Sequence, residues 1–381
     1  MTKLWILLLS LGFFLSGCSA QPVTEVPTEE SIKVLEKSEL NSSYIEWYGR
    51  HAYQNEREYF YHTATGFRLE FYGRVIDIEL RLEDKNHDIY YSYAKDGEDL
   101  LTSGIYVQSE FESTLRIEFD TYDHHVVELV KRSEPEDGLT SLHRISTNGY
   151  LKEVTIPEDQ PHFLLIGASG ISGHGALGSP GQPRTTENSS SLHSFGYLTA
   201  AHFEGSYEFV SNSGWGLAFG YNDVSGEDNI VKAYDYIGID PDQQIIDITY
   251  DHAKQPDFII INIGGNDYTS VINKLSGFAK TEKILEFKAA VADFIFKLRE
   301  DAPEAHILWT MTEGSQNGTA ANEVINQLSA LDKAFVHMVI IKQVGDDGDL
   351  AGANNHASFI THQKSAQLLI DVIEGILNPT V

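Results

Sequence analysis

The sequence predicts a two-part protein: a doubly wound parallel α/β domain, preceded by an all-β sandwich. Three observations carry this. Between Tyr44 and Ile156 apolar residues alternate with polar ones at period two. From His162 onward, short apolar runs bounded by glycine alternate instead with stripes at helical spacing. The length of 381 residues provides for about two domains.

The β-rich half is read from Phe67, Leu69 and Phe71, which alternate with Arg68 and Glu70, and from Ile76, Ile78, Leu80 and Leu82, which alternate with Asp77, Glu79 and Arg81. Leu115, Ile117 and Phe119 repeat the pattern. Such runs mark strands with one wet face. Gly66, Gly73, Gly97 and Gly104 separate them and read as turns. Tyrosines are dense here: Tyr59, Tyr61, Tyr72, Tyr90, Tyr91, Tyr93 and Tyr106. Such rings fill strand faces as good β formers, or stack on sugars where exposed.

In the second half, Phe163–Ile166, Phe258–Ile263, Ile307–Met311 and Met338–Ile341 read as buried parallel strands. Phe287, Val291, Phe294, Ile295 and Leu298 form one helical stripe, and Ala366, Leu369, Ile370, Ile373 and Ile376 another. Gly181–Ser191 is a polar loop.

The N-terminus reads as an address. Lys3 precedes the apolar run Leu4–Leu15, which is followed by Ser16, Gly17 and Cys18. This is a secretory signal, too short to span a membrane comfortably. Leu15-Ser16-Gly17-Cys18 resembles the bacterial lipobox, which implies lipidation of Cys18 and anchoring to the cell envelope. Cys18 is the only cysteine, so no intramolecular disulfide forms. The boundaries expected are 1–18 for the signal, 19–40 for a polar tether, 41–157 for the β domain and 158–381 for the α/β domain. A net charge of −29 argues against nucleic acid as a partner and suits a neutral substrate.

Three spots in the second half carry chemistry. Gly167-Ala168-Ser169 follows one strand, Gly264-Gly265-Asn266-Asp267 follows another, and Asn355-His356 precedes the last helix. Strand ends of an open α/β sheet gather along one edge, where such folds bind ligands. A serine hydroxyl becomes a nucleophile when a base takes its proton, and His356 is the candidate base. The Asn266 amide, the Ser169 N–H and a glycine N–H are candidate donors to an oxyanion. Ser172 is the rival nucleophile, but Ile171-Ser172-Gly173-His174 does not complete a Gly-x-Ser-x-Gly turn. His174 reads as a loop histidine at the site's mouth or in water, and His362 as structural. Neither paired ligand spacing nor a phosphate-loop lysine is present, so no metal and no cofactor is expected.

The ordered pieces Gly167-Ala168-Ser169, Ser213-Gly214-Trp215-Gly216, Gly264-Gly265-Asn266-Asp267 and His356 resemble the SGNH (GDSL-like) hydrolases. With the β-rich first half and the stretch Asn355–Leu369, the chain looks most like carbohydrate esterase family 2. That resemblance implies a flavodoxin-like doubly wound SGNH domain behind a jelly-roll, and removal of acetyl groups from plant polysaccharides. It implies Ser169 as nucleophile, His356 as base and Asn266 as oxyanion donor, with Gly214 or Gly216 (Gly214 preferred) as the glycine donor. Asp267 is expected at the substrate, and Trp215 either walls the pocket or is an ordinary core tryptophan. Two positions depart from the pattern. Ala168 stands where the family's usual Asp lies, and Ala353 where many members carry an Asp three residues before the histidine. His356 is then oriented by a backbone carbonyl, or by Asp346, Asp347 or Asp349. The function expected is a serine esterase on O-acetylated polysaccharide or oligosaccharide. The alternatives are a catalytically weak surface glycan-binding lipoprotein, favoured by the two alanines, or an SGNH lipase or esterase on other esters.

Overall fold

The computed structural model describes residues 33–34, 40, 43–157, 159–221, 225–226, 229–342, 344–345 and 351–378. Cys18, the expected signal, and Asp346, Asp347 and Asp349 lie outside them.

Among the described residues, ten antiparallel strands make the first sheet. They are β1 (Lys33–Val34), β2 (Ile45–Tyr48), β3 (His51–Gln54), β4 (Arg57–Phe60), β5 (Gly66–Lys85), β6 (Ile89–Lys95), β7 (Gly104–Gln108), β8 (Glu112–Lys131), β9 (Gly138–Thr147) and β10 (Tyr150–Lys152). The first half of β5 pairs with β2, β10 and the end of β8, and its second half with β9 and the start of β8. Inward residues of both halves, including Phe67, Leu69, Ile76 and Ile78, join Phe60, Leu142 and Ile145 in one core. The two runs expected as separate strands are therefore one strand of 20 residues. Gly73 is no turn: a bulge between Gly73 and Val75 shifts the register there, which lets a strand bend without ending. The pairing of Lys33–Val34 with β9 and the buried Leu40 carry the fold into the stretch expected as a tether.

The second sheet is wholly parallel, with five strands: β11 (His162–Gly167), β12 (Ser206–Ser211), β13 (Phe258–Asn262), β14 (His306–Thr312) and β15 (Val336–Ile341), in the order β12-β11-β13-β14-β15. Both faces are covered, so its strands are apolar on both. Leu164, Ile166, Ile259, Ile261, Ile307 and Trp309 pack with the stripe of a helix α3 (Gly277–Asp301). Phe163, Leu165, Phe258, Ile260 and Leu308 point the other way, toward α1 (Phe195–His202) and α6 (Phe359–Leu377). Two shorter helices, α2 (Ile230–Tyr234) and α4 (Gln316–Ile325), and the turn α5 (Ala330–Lys333) complete the set. The strand order reverses between β11 and β13, and a crevice at the carboxyl ends of such a pair is where these folds bind ligands.

The antiparallel unit caps the edge strand β12. Gly49 N–H donates to the Tyr207 carbonyl. The buried Arg50 pairs with Glu208 (3.2 Å) and donates to the carbonyls of Tyr234 and Tyr236. An edge strand so covered offers no free ladder to another chain.

Candidate active site

Ser169 and Asn266 leave β11 and β13 on the two sides of the reversal and line one cleft of about 200 Å³. Asn262, Thr310 and Asn317 line it too, and the sequence reading did not single them out. Asn262 donates to Thr310 Oγ1 (2.9 Å), and Thr310 donates in turn to the Ile261 carbonyl. The turn after β11 is closed by the N–H groups of Ile171 and Ser172 on the Ala168 carbonyl, so alanine at 168 leaves it intact.

His356 arrives from the other end of the chain. Its Nε2 lies 2.8 Å from Ser169 Oγ, and its Nδ1 lies 2.9 Å from the Asn354 carbonyl oxygen. A carbonyl only accepts, so Nδ1 carries the hydrogen and Nε2 is free to accept from the serine. Asn354 (φ +52°) and Asn355 (φ +57°) make the left-handed turn that aims this carbonyl, a conformation asparagine tolerates better than most residues. The loop docks on the glycine-rich turn: Ala353 N–H donates to the Gly175 carbonyl (2.8 Å) and Phe359 N–H to Ala176 (2.9 Å). Ser358 caps α6 directly behind it. Burial lowers the His356 pKa from its ordinary value, and the neighbouring His174 adds to this. The Asn354 carbonyl and Glu134 act in the opposite sense.

Ser172 is fully buried and donates to Ser211 Oγ (3.1 Å). His362 is buried on the far side of the loop, where its Nδ1 accepts from the Phe195 N–H.

The Ser213–Gly216 loop borders the serine turn. Gly216 is buried, and a Cβ there would meet the Phe219 carbonyl at 1.6 Å. Gly214 is half-buried at φ +83°, and a Cβ there would meet only the Tyr221 Cβ, at an ordinary contact distance of 3.6 Å. Gly214 lies outside the lining of the cleft that holds Ser169 and Asn266. Asn266 ties its loop to that cleft, because one amide hydrogen donates to the Trp215 carbonyl (2.8 Å), which leaves the other free.

Trp215 and Asp267 do not have the geometry of substrate ligands. Trp215 is 3% exposed and its ring N–H donates to Gln243 (2.8 Å). Asp267 is fully buried, and its carboxylate accepts the N–H groups of Leu217, Ala218 and Phe219 at 2.7–2.9 Å. Both hold the loop in shape. Burial raises the Asp267 pKa, and the three backbone donors oppose that.

His174 is the other correction. It is buried, not in water, and its ring centroid lies 4.4 Å from that of His356. Its Nδ1 faces Glu134 Oε1 (3.0 Å) from the antiparallel unit, and its Nε2 faces Asn354 Nδ2 (3.3 Å). Glu134 also accepts from the hydroxyl (2.6 Å) and N–H (3.1 Å) of Ser213. Burial alone would raise the Glu134 pKa. The hydrogen bonds from His174 and Ser213 and the charge of Arg184 outweigh it and hold the group at about 2. Arg184, from the polar loop, is clamped on Asp137 behind it. Glu134, Glu136 and His174 bring ligand-type atoms within 4.8 Å of one another, but Glu134 and His174 are already spent on these bonds. The sequence held no spacing signal for this cluster, since Glu134 and His174 lie 40 residues apart in separate units.

Of the tyrosines, Tyr59, Tyr61 and Tyr91 are buried in cores, while Tyr72, Tyr90, Tyr93 and Tyr106 keep part of their surface in water.

No family model matches the sequence. An acetylxylan esterase/glucomannan deacetylase of Cellvibrio japonicus is 27% identical over 252 residues, 65% of this chain and 68% of that protein. Two solved structures are similar over more of it. A family two carbohydrate esterase from Clostridium thermocellum, in complex with cellohexaose, superposes with a TM-score of 0.75 at 23% identity, covering 87% of this chain and 99% of that one. An acetyl xylan esterase from the rumen bacterium Butyrivibrio proteoclasticus gives 0.77 at 20% identity, covering 91% and 98%. At these identities the structural likeness is one of fold, with its antiparallel and parallel sheets. The sequence relative and the structural neighbours are carbohydrate esterases, and they support the expectation of a carboxylic ester hydrolase acting on carbohydrate.

Proposed function

We propose that this chain is a serine esterase that removes O-acetyl groups from polysaccharides or oligosaccharides such as acetylated xylan or glucomannan. The observation that carries the reading is the contact of His356 Nε2 with Ser169 Oγ at 2.8 Å, beside a cleft of acyl size. Ser169 Oγ attacks the acetyl carbonyl carbon as its proton passes to His356 Nε2. The oxyanion is met in the cleft by the free amide hydrogen of Asn266 and by the N–H of Ser169, and the Gly214 N–H, from the neighbouring loop outside the cleft lining, is the third donor that the resemblance implies. Collapse breaks the bond to the sugar oxygen, which takes the proton from His356. Water, with His356 again as base, releases acetate and restores the serine. Neither metal nor cofactor is needed for these steps.

The finer fold reading supports this. The long strands β5 and β8, shared by two halves of a folded sheet over one core, fit the jelly-roll that the resemblance implies. The order β12-β11-β13-β14-β15 fits a flavodoxin-like SGNH domain. The N-terminal lipobox supports a lipid anchor at Cys18 in the cell envelope, and Cys18→Ser should then move the protein from the membrane to the soluble fraction.

The test is acetate release from acetylated xylan, acetylated glucomannan and p-nitrophenyl acetate, with Ser169→Ala in parallel. Release that disappears in the variant supports the esterase. No release by the wild type, with binding to the glycans retained, supports the second reading. That is a glycan-binding lipoprotein, which Ala168 and Ala353 favour.

A further inference from the structure

His356 carries no carboxylate of its own among the described residues, yet a carboxylate lies one imidazole away. The donor and acceptor roles along the path follow from chemistry. Glu134 is ionised and only accepts, so His174 Nδ1 carries its hydrogen. The Nε2 of a neutral His174 then accepts, which matches the Asn354 amide nitrogen set 3.3 Å from it. Asn354 is engaged twice, by its side chain to His174 and by its own carbonyl to His356 Nδ1–H. Holding that side chain holds the left-handed turn, and the turn aims the carbonyl.

We propose that Glu134 and His174 are positioning residues for the reaction, forming with Asn354 a relay through which the antiparallel unit supplies the orientation and negative charge that a triad aspartate would supply. The inference rests on the esterase reading. Every donation in the relay runs toward Glu134. Only one proton moves during turnover, from Ser169 to His356 and then to the departing sugar oxygen, while those on His174 and Asn354 stay in place. The anchoring is rigid: Glu134 is fully buried, Ser213 donates to it twice, and Arg184 lies 3.5 Å from it while clamped to Asp137. The same contacts tie the Ser213–Gly214 turn to the relay, so one carboxylate sets both the base and a candidate oxyanion loop. The charged or titratable groups facing His356 are His174 and Glu134 on one side and His362 on the other.

The experiment compares wild type with His174→Gln, Asn354→Gly, Glu134→Gln and the charge-keeping Glu134→Asp. The readouts are kcat and KM on p-nitrophenyl acetate from pH 4.5 to 9, and NMR titration of the ¹⁵N-labelled imidazole of His356. The first three variants are expected to lose about 10–100-fold in kcat with KM changed less than about threefold. In Glu134→Gln the acid limb of kcat/KM and the His356 titration should move to lower pH by about half a unit, because the imidazolium loses its countercharge. Glu134→Asp should keep the wild-type limb. Where Glu134→Gln does not fold, His174→Gln and Asn354→Gly decide by the kcat loss and by weakening of the His356 Nδ1–H signal. Folded variants with unchanged kcat and unchanged His356 titration overturn the relay. A loss of kcat with the limb and the imidazole signals unmoved also overturns it, since packing alone would give that. A wild type that turns over no ester sinks the esterase reading instead, and the NMR comparison still decides whether Glu134 acts on His356.

Discussion

The Nδ1–H of His356 donates to the carbonyl of Asn354, two residues earlier in the chain, at 2.9 Å. Ala353, three residues before the histidine, is fully buried and docks on the glycine-rich turn through its N–H to the Gly175 carbonyl. A Cβ on Gly178 would come within 2.6 Å of the Ala353 Cβ, so the two segments touch with no spare volume. We therefore predict that Ala353→Asp does not rescue a triad. The carboxylate has neither room nor a free donor, and overpacking together with a buried charge should cost about 2–5 kcal/mol. Thermal melts should show a lowered Tm, and kcat should fall. A rise in kcat with Tm unchanged would contradict the packing argument.

Ser169 and Ser172 differ in what surrounds them, so their alanine variants should separate. Ser169→Ala should lower kcat by about 10³-fold or more, leaving the contribution of binding and the oxyanion donors. Ser172→Ala loses a buried hydroxyl contact with Ser211, worth about 1 kcal/mol, and should change kcat less than threefold. Equal losses in both would remove the assignment of Ser169.

Much of this was legible in the sequence, and the exceptions have physical reasons. The strands β11, β13, β14 and β15 and the stripes of α3 and α6 are visible because burial on both faces, or on one stripe, leaves a strong apolar signal. Strand β12 was missed. Its sequence Ser206-Tyr-Glu-Phe-Val-Ser places Glu208 in the middle, and partners far away in the chain, Arg50, His162 and Tyr250, make that carboxylate acceptable in the interior. Gly73 read as a turn because a bulge and a turn use the same residue. At the site, Ser169, Asn266 and His356 stood out as motif residues on strand and helix ends. Glu134 and His174 did not, because their meaning arises only when the antiparallel unit is docked against the α/β unit. Trp215 and Asp267 sit in the right motifs but point inward, and sequence order carries no information on side-chain direction in a loop.

The pH dependence follows from the state of His356. Burial lowers its pKa below the ordinary 6.5, and only the neutral ring can accept the serine proton. Activity should therefore be on its plateau at pH 7 and fall on acidification, with a midpoint below pH 6.5. A kcat/KM profile on p-nitrophenyl acetate reads this directly. A midpoint above 7 would mean that a different group is titrating.

Glu136 and Glu134 should shape stability in opposite directions. Burial, and then the adjacent charge of Glu134, push the Glu136 pKa up to about 7 from 4.5. A carboxyl whose folded pKa is raised contributes stability that is complete below pH 4.5 and is lost as pH rises through 7. Glu134 is the reverse: its contribution is complete above 4.5 and is lost as pH falls toward 2. Glu136→Gln, which cannot ionise, is thus expected to melt at a higher temperature than wild type at pH 8, with the gain shrinking toward pH 4. Melts across that range test it, and a gain independent of pH would show that the carboxylate's charge is not the cause.

Asn266 and Asp267 are neighbours in one turn and should fail in different ways. Asn266 presents its amide at the cleft, with one hydrogen on the Trp215 carbonyl and the other free for an oxyanion. Asn266→Ala should lower kcat by about 10²–10³-fold, equivalent to about 3–4 kcal/mol of transition-state stabilisation, with KM little changed and stability lowered only by the lost bond to the Trp215 carbonyl, about 1 kcal/mol. Asp267 instead holds the N–H groups of Leu217, Ala218 and Phe219, which have no other acceptor among the described residues. Asp267→Ala strands three donors, of which those of Leu217 and Phe219 are buried and worth about 1–3 kcal/mol each, so it should lower Tm strongly before any kinetic effect is read. Asp267→Asn keeps one acceptor oxygen and should fall between. If Asp267→Ala instead kept its Tm and raised KM, the carboxylate would be a substrate ligand and the loop-anchor assignment would be wrong.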